Sequence, residues 1–184
     1  LETKGGCEII KAGRKSEEAK VDAMDEDSVK ALFEKLGKVD HVVSCIGSGH
    51  FGPVATMTSK DVMTSINGKF MAQCSISLIA QNYLNPGGSI VLTSGILDRE
   101  PVPLAASISA ANAALRGWVT AAATELKNDT RMNLVSPGLV AESVPMYGPY
   151  FVGMEGVPSA KVAQKFLRAM FGGLNGKTLE VFAY

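Results

Sequence analysis

The sequence contains few of the residues from which disulfide frameworks and metal sites are built. Its 184 residues include three cysteines and two histidines, and Cys7, Cys45 and Cys74 are widely separated along the chain. This spacing fits neither a disulfide framework nor a zinc site. We therefore expect no bound metal, and three buried, reduced thiols of the kind found in cytoplasmic proteins.

Net charge and long apolar runs are also absent. The 18 basic and 18 acidic side chains cancel, which gives no electrostatic attraction to nucleic acid or to an anionic membrane. No apolar run approaches the roughly 18 residues that span a bilayer. A hydrophobic content of 46% excludes intrinsic disorder. Because no repeat or linker divides the chain, we expect residues 1–184 to form one domain.

The sequence does contain a regular alternation of strand-like and helix-like segments. Short, mostly apolar runs predict strands at residues 7–12, 20–22, 39–45, 89–93, 131–135 and 178–182. The β-branched run at 39–45 is expected to be a strand covered on both faces. Apolar residues at helical spacing predict the helices between them, with capping side chains among residues 25–28, at Thr58 or Ser59, and at Ser159. The two longest helices are expected at about 58–83 and 105–127. This order predicts an α/β fold with a doubly wound parallel sheet and helices on both faces.

Ligands of such sheets bind at the carboxyl ends of the strands, so the residues that follow each strand are candidate site residues. Arg14 and Lys15 follow the first strand, where they form either a phosphate site or a solvated basic turn. Asp22 follows the second and is either an acceptor for an adenine amine or an ordinary residue before a helix.

The next three strand ends carry small and polar residues. Gly47 follows the third strand, and a glycine there lets a flat ligand or a pyrophosphate approach the backbone. Ser94 follows the fourth and lies either at a substrate position or in a turn. Pro137 and Gly138 follow the fifth and form a rigid turn whose backbone can meet an amide group.

Four stretches, taken in order, carry a family resemblance. They are residues 12–14 (AGR), 39–47 (VDHVVSCIG), 87–91 (GGSIV) and 131–138 (RMNLVSPG). The last is the most specific, because it is similar to the strand and turn written RVNxVSPG in the short-chain dehydrogenase/reductase superfamily. The sequence resembles that superfamily over essentially its whole length.

The resemblance implies a Rossmann-type fold, a nicotinamide dinucleotide, and a homodimer or homotetramer formed through the two long helices. An arginine placed like Arg14 contacts the 2′-phosphate in this family, so the resemblance favours NADP(H) over NAD(H). By the same resemblance, Asp22 meets the adenine, while Ile46 and Gly47 line the ribose side. Residues 137–139, which are Pro137, Gly138 and Leu139, meet the nicotinamide amide.

The catalytic residues of the family are replaced. The family uses a Tyr-x-x-x-Lys pair, and those two positions hold Ile108 and Asn112. The family serine falls on Gly95, with Ser94 directly before it. The family asparagine falls on Lys69, and Asn67 lies two residues earlier. We therefore take Ser94, Lys69 and Asn112 as the candidate catalytic residues, with Ser94 orienting the substrate and Lys69 supplying charge or protons.

Four functional hypotheses follow. The first is an oxidoreductase that transfers a hydride between the nicotinamide and a small carbonyl or alcohol substrate. The second is a catalytically inactive sensor or regulatory protein that binds a dinucleotide, and the third is a structural remnant that binds nothing. A methyltransferase-like domain is the fourth, and the Ser-Pro-Gly turn at residues 136–138 argues against it.

The family fold also begins with a central strand and a Gly-x-x-x-Gly-x-Gly turn, which this sequence lacks. Residues 1–5 resemble the tail of the helix that follows that turn. Unpaired backbone groups at a buried sheet edge cost about 1–3 kcal/mol each. We therefore expect roughly 15–25 further residues upstream. The alternative is a sheet in which residues 7–12 pair directly with residues 42–45.

Overall fold

A computed structural model describes residues 6–183, and residues 1–5, expected to end a helix, lie outside that part. The main sheet has four parallel strands in the order β3-β4-β5-β6. They are β3 (Val39–Val43), β4 (Leu84–Thr93), β5 (Arg131–Pro137) and β6 (Thr178–Val181). A separate two-stranded parallel sheet holds β1 (Ala12–Gly13) and β2 (Ala19–Lys20). The predicted parallel α/β fold is confirmed.

Within residues 6–183, six α-helices connect the strands. They are α1 (Glu26–Leu36), α2 (Ser59–Ser65), α3 (Ala72–Ala80), α4 (Ala106–Ala122), α5 (Val144–Tyr147) and α6 (Ser159–Phe171). A π-helical segment, Ile66–Met71, joins α2 to α3, so the long helix predicted at 58–83 is one helix with an inserted wide turn. Such wide turns are rare and occur often at functional sites.

Two of the three predicted helix caps are confirmed. Asp25 accepts a hydrogen bond from the backbone of Asp27 at the start of α1. Thr58 forms a reciprocal capping box with Asp61 at the start of α2. The third prediction was wrong, because Pro158 occupies the cap position of α6. The Ser159 hydroxyl instead donates to Glu142 Oε1 at 2.6 Å.

Helices cover both faces of the main sheet, as predicted. Ile90 and Leu92 of β4 pack in one core with side chains of α1, α3 and α4. Val91 lies between them in sequence and packs in a second core with residues of α6. Successive strand residues point to opposite faces, so the two cores lie on opposite sides of β4.

The strand β3 is an edge strand in the described part of the chain. It pairs only with β4, and Val43 is 41% exposed, so the expectation that this strand is covered on both faces was wrong. The strand predicted at 7–12 shrinks to β1, which pairs with β2 and not with β3. Within residues 6–183 no strand pairs with residues 7–10, so no ladder holds them extended. The direct pairing of 7–12 with 42–45 therefore does not occur, and the upstream strand stays a prediction.

The three thiols are unpaired, but the expectation that all three are buried was wrong. Cys74 is buried in α3, whereas Cys7 and Cys45 are exposed. Within residues 6–183, no group of three or more His, Cys, Asp or Glu side chains is placed to hold a metal ion. No helix in this range combines the length and the apolar character needed to cross a membrane.

Candidate functional site

The carboxyl end of β4 is held in place by a buried glutamine. Gln73 on α3 accepts from the Thr93 N–H and donates to the Thr93 carbonyl, both at 2.8 Å. The Thr93 hydroxyl donates to the Ser44 carbonyl at 2.6 Å, which ties the end of β4 to the residue after β3. Sequence reasoning missed Gln73. Its signal was a single amide in a largely apolar helix. These contacts fix the backbone from which Ser94 projects.

Lys69 reaches the carboxyl end of β4 from a neighbouring helix. It projects from the π-helical segment, and its Nζ donates to the Ser94 carbonyl at 3.2 Å. A side chain at Gly47 would crowd it, because a Cβ there would lie 3.0–3.3 Å from Lys69 atoms, Nζ among them. Asn67, the neighbouring alternative, is exposed. The ammonium of Lys69 therefore occupies the space between the ends of β3 and β4.

The electrostatics of Lys69 are unusual for a lysine. Burial lowers its pKa from 10.5 to about 8, because a low-dielectric environment disfavours the charged form. No carboxylate of the described residues lies within 4 Å of its Nζ. A partly buried ammonium without a carboxylate partner can hold an anionic or strongly polar ligand, or transfer a proton.

Ser94 and Asn112 adjoin Lys69. The Ser94 hydroxyl is 3% exposed and donates to the Asn112 carbonyl at 3.2 Å. Asn112 is buried on α4, and its Oδ1 accepts no hydrogen bond from any described residue. A Cβ at Gly95 would lie 3.3 Å from Asn112 Nδ2. The structure thus brings together the three residues that the sequence nominated, Lys69, Ser94 and Asn112.

Ile108, one helical turn before Asn112, is part of an apolar cluster. It is 7% exposed and packs with Leu139 and Phe151. The side chain of Leu139 is therefore buried, and only its backbone can meet a ligand. A Cβ at Gly49 would lie 2.5 Å from Ile108 Cδ1, so the loop after β3 runs closely along α4 at this point. The position of the family tyrosine thus holds a side chain that has no proton to transfer.

A second polar site lies beside β2. An open depression of about 390 Å³ is lined by Arg14, Lys20, Val21, Asp22 and Ser28. Val21 also packs against the main core, so the depression lies next to the main sheet.

Two basic side chains, Arg14 and Lys20, and the carboxylate of Asp22 line this depression. Lys20 was missed by the sequence analysis, and Lys15 is exposed in the adjoining turn and does not line the depression. Asp22 Oδ1 accepts from the Met24 N–H at 3.0 Å, so one of its oxygens is engaged in its own turn. The lining combines the donors that a phosphate requires with one carboxylate acceptor.

The remaining nominated residues follow β3 and β5. Ile46 is half-buried in the loop that leads to Gly47. Pro137 ends β5, and its carbonyl would lie 3.8 Å from a Cβ at Gly95. The Gly138 N–H donates to the Val181 carbonyl at 2.9 Å, so the sheet already uses this donor.

Comparisons with known proteins agree with this architecture. A family described as Enoyl-(Acyl carrier protein) reductase matches residues 3–149. The short-chain dehydrogenase/reductase ATR9 of Stachybotrys chlorohalonatus is 30% identical over 149 residues, which are 77% of this chain and 58% of that protein. The crystal structure of the protein lin1944 from Listeria innocua has a TM-score of 0.95 at 36% identity, and the alignment covers 98% of this chain and 90% of that one.

A small-chain dehydrogenase crystallised in complex with NADPH has a TM-score of 0.79 at 26% identity, covering 91% of this chain and 87% of its own. The chain belongs to the family that matches residues 3–149, and with it to the short-chain dehydrogenase/reductase superfamily. This leaves the methyltransferase hypothesis without support. The chain spans about half the length of the first curated relatives that it matches.

The lowered pKa of Lys69 gives a testable dependence of stability on pH. Below about pH 8 the lysine is charged in both the folded and the unfolded state, and the folded state bears the desolvation cost. Between about 8 and 10.5 the folded state binds fewer protons than the unfolded state, so this cost fades as pH rises. We expect Lys69→Met to stabilise the protein at neutral pH by on the order of 2 kcal/mol, since each pKa unit is worth about 1.4 kcal/mol.

Chemical denaturation from neutral pH to about pH 9.5 measures this difference. The gain from Lys69→Met should shrink steadily across the series. Lys60→Met, at an exposed position on α2, is the matched control and should show no such trend. A gain that does not change with pH would show that Lys69 is not desolvated.

Proposed function

We propose that this protein is an NADP(H)-dependent oxidoreductase that transfers a hydride between the nicotinamide and a small carbonyl or alcohol substrate. The observation that carries the proposal is the ammonium of Lys69 at the end of β4, 3.2 Å from the Ser94 carbonyl and without a carboxylate partner. The fold and the NADPH-bound relative support the choice of cofactor. A positive charge at this place would stabilise the negative charge that develops on the substrate oxygen in carbonyl reduction.

The residues at the strand ends fit a dinucleotide. Arg14 and Lys20, with Lys15 in the adjoining turn, would hold the 2′-phosphate of NADP(H), and Asp22 would accept from the adenine amine. Ile46 and Gly47 would line the ribose side. The backbone of residues 137–139 would meet the carboxamide, and the free Oδ1 of Asn112 is an orphaned buried acceptor on the same side of the site.

When bound, NADPH supplies the hydride, and the chain supplies charge and orientation. Lys69 places a positive charge where negative charge develops on the substrate oxygen, which lowers the barrier. Ser94 orients the substrate oxygen once its hydroxyl exchanges the Asn112 carbonyl for the substrate. Asn112 accepts from the Ser94 hydroxyl through its carbonyl and presents its amide beside Gly95.

A specific observation favours a second candidate, a dinucleotide-binding sensor without redox turnover. Ile108 carries no proton, and the Ser94 hydroxyl is buried and already donates within the protein. Binding of the cofactor requires neither of these groups. The two candidates therefore differ in turnover and not in binding.

Titration of the protein with NADPH and NADH, followed by a carbonyl screen that monitors NADPH oxidation, separates them. The proposed function predicts NADPH binding and substrate-dependent oxidation. Binding without oxidation by any carbonyl selects the sensor. Absence of binding rejects both candidates.

Arg14 is expected to select the cofactor. Arg14→Ala should weaken NADPH by roughly 10-fold to 100-fold and NADH by far less, because a charge-assisted phosphate contact is lost. Fluorescence titration with both cofactors measures the two dissociation constants. Lys35→Ala, an exposed lysine on the last turn of α1, is the control. Equal losses for both cofactors would refute the phosphate role.

We also propose a homodimer or homotetramer formed through the long helices. Met71 and Leu78 are more than 40% exposed along one of them. On α4, the exposed residues Ala110, Ala113 and Gly117 allow close approach of a second helix.

Sedimentation should show an oligomer, and Ala113→Arg should shift it to the monomer, whereas Ala163→Arg on α6 should not. A monomeric wild type contradicts the proposal. A cytoplasmic location, which three unpaired thiols favour, stays a prediction.

A further inference from the structure

The loop after β3 carries a histidine that has no role in the candidate site described above. His50 is one of two histidines in the chain. It follows Gly49, which touches Ile108, and precedes Phe51, which packs against the apolar cluster around Ile108. The imidazole is therefore carried by the segment that borders the position where the family has its tyrosine.

Hydrogen bonds from two sides fix the backbone of His50. Its N–H donates to Ser65 Oγ at 2.9 Å, and its carbonyl accepts from Ser107 Oγ at 2.8 Å. The two serine hydroxyls also bond to each other at 2.8 Å in a buried position. Ser107 is the residue directly before Ile108, so this pair holds His50 against the start of α4.

The imidazole lies between Asp61 and Gly52. Its Nδ1 lies 3.8 Å from Asp61 Oδ1, an ion-pair distance that is longer than a direct hydrogen bond. Hydrogen bonds from Thr58 keep the pKa of Asp61 below its usual range, so this carboxylate is ionised at neutral pH. The Nε2 lies over Gly52, where a Cβ would come within 2.5 Å of it. Among residues 6–183, no carboxylate lies within 4 Å of Nε2, the ring nitrogen that packs against Gly52.

Access from the outside is retained. The His50 side chain is about one-third exposed, which lets it exchange protons with solvent. The ring of Phe51 stacks on that of Tyr147 at 6.5 Å and lies 5.9 Å from the tilted ring of Tyr150, both in the segment after β5. The loop that carries His50 therefore contacts this aromatic segment.

We propose that His50, oriented by Asp61, is the general acid and base of the reaction and takes the part that Ile108 cannot perform. This rests on the proposed function. In reduction, the carbonyl carbon receives the hydride of the dihydronicotinamide, and the carbonyl oxygen receives the proton on His50 Nε2. The dinucleotide is oxidised, the carbonyl becomes an alcohol, and the neutral imidazole takes a new proton from solvent. Lys69 keeps the electrostatic role given above.

The division of roles between His50 and Asp61 is specific. His50 would touch the substrate oxygen and be a catalytic residue, whereas Asp61 is a positioning residue that acts through the imidazole. General acid–base groups contribute about 10²-fold to 10⁴-fold to rate, and an imidazole changes its charge between about pH 5 and 8. Loss of His50 should therefore remove turnover without removing cofactor binding.

The test uses the whole chain with NADPH and the best carbonyl found by screening. His50→Gln should lower kcat by about 10²-fold or more, with the NADPH dissociation constant within about twofold of the wild type. His50→Ala should regain turnover when free imidazole is added, because the site is open to solvent. Asp61→Asn, which keeps an oxygen for the helix cap, should lower kcat with little change in KM and alter the pH profile of kcat.

His41→Gln is the matched control. His41 is the other histidine and lies on β3, where its Nδ1 bonds Ser89 Oγ at 2.9 Å. It should leave turnover unchanged. Thermal melting of each variant identifies loss of folding, and Lys69→Met should not respond to imidazole.

Several outcomes would overturn the inference. Wild-type turnover in His50→Gln overturns it and leaves the proposed function standing. A loss of NADPH affinity that accounts for the loss of turnover also overturns it, since His50 would then act in binding. Absence of rescue by imidazole in a folded His50→Ala protein counts against it in the same way. A wild type that binds NADPH but reduces no carbonyl ends the proposed function, and the inference falls with it.

Discussion

The site depends on one costly placement, a lysine ammonium set against the end of a parallel strand without a carboxylate to neutralise it. Desolvation of a charged group opposes folding, and the pKa of Lys69, lowered to about 8, is the signature of that cost. Three features of the neighbouring structure accommodate the lysine. A glycine at position 47 leaves room for the side chain, and the π-helical segment turns it toward β4. The Gln73 clamp on Thr93 fixes the carbonyl that Lys69 reaches.

The neighbouring replacements follow from this placement. The family pattern has asparagine where Lys69 stands and lysine where Asn112 stands, so the chain holds both residue types with their positions exchanged. The site thus has one lysine near the ends of β3 and β4. A second lysine at position 112 would repel it. Gly95 stands at the position of the family serine and leaves space for the Asn112 amide. A lysine and an asparagine are therefore both present, each at the other's family position.

Much of this fold could be predicted because it depends on local pattern. The periodic apolar residues and the caps at Asp25 and Thr58 give α1 and α2, and the β-branched runs give the four strands of the main sheet. The failures share one physical reason. The extent of residues 7–12 and the burial of Val43 depend on which strands lie alongside, and a strand without a neighbour is neither extended nor covered.

The site was predicted in part for the same reason. Counting along the family pattern places Lys69, Ser94 and Asn112 at strand ends or on the facing helix, and the fold brings those together. Lys20 and Gln73 were missed because nothing in the local sequence distinguishes a functional lysine in a strand, or a functional glutamine in a helix, from an ordinary one. Their roles arise only when distant segments meet, as when Gln73 reaches Thr93, 20 residues along the chain.

The replacement of tyrosine by Ile108 bears on more than catalysis. A buried phenol needs a hydrogen-bond partner, and an isoleucine in the same place needs only apolar neighbours, which Leu139 and Phe151 provide. The change therefore stabilises the packing of the segment after β5 while it removes a proton donor. Under the proposed function, another group therefore has to supply the proton. Within the described residues, Ser107 holds His50 beside Ile108, and Lys69 reaches the Ser94 carbonyl.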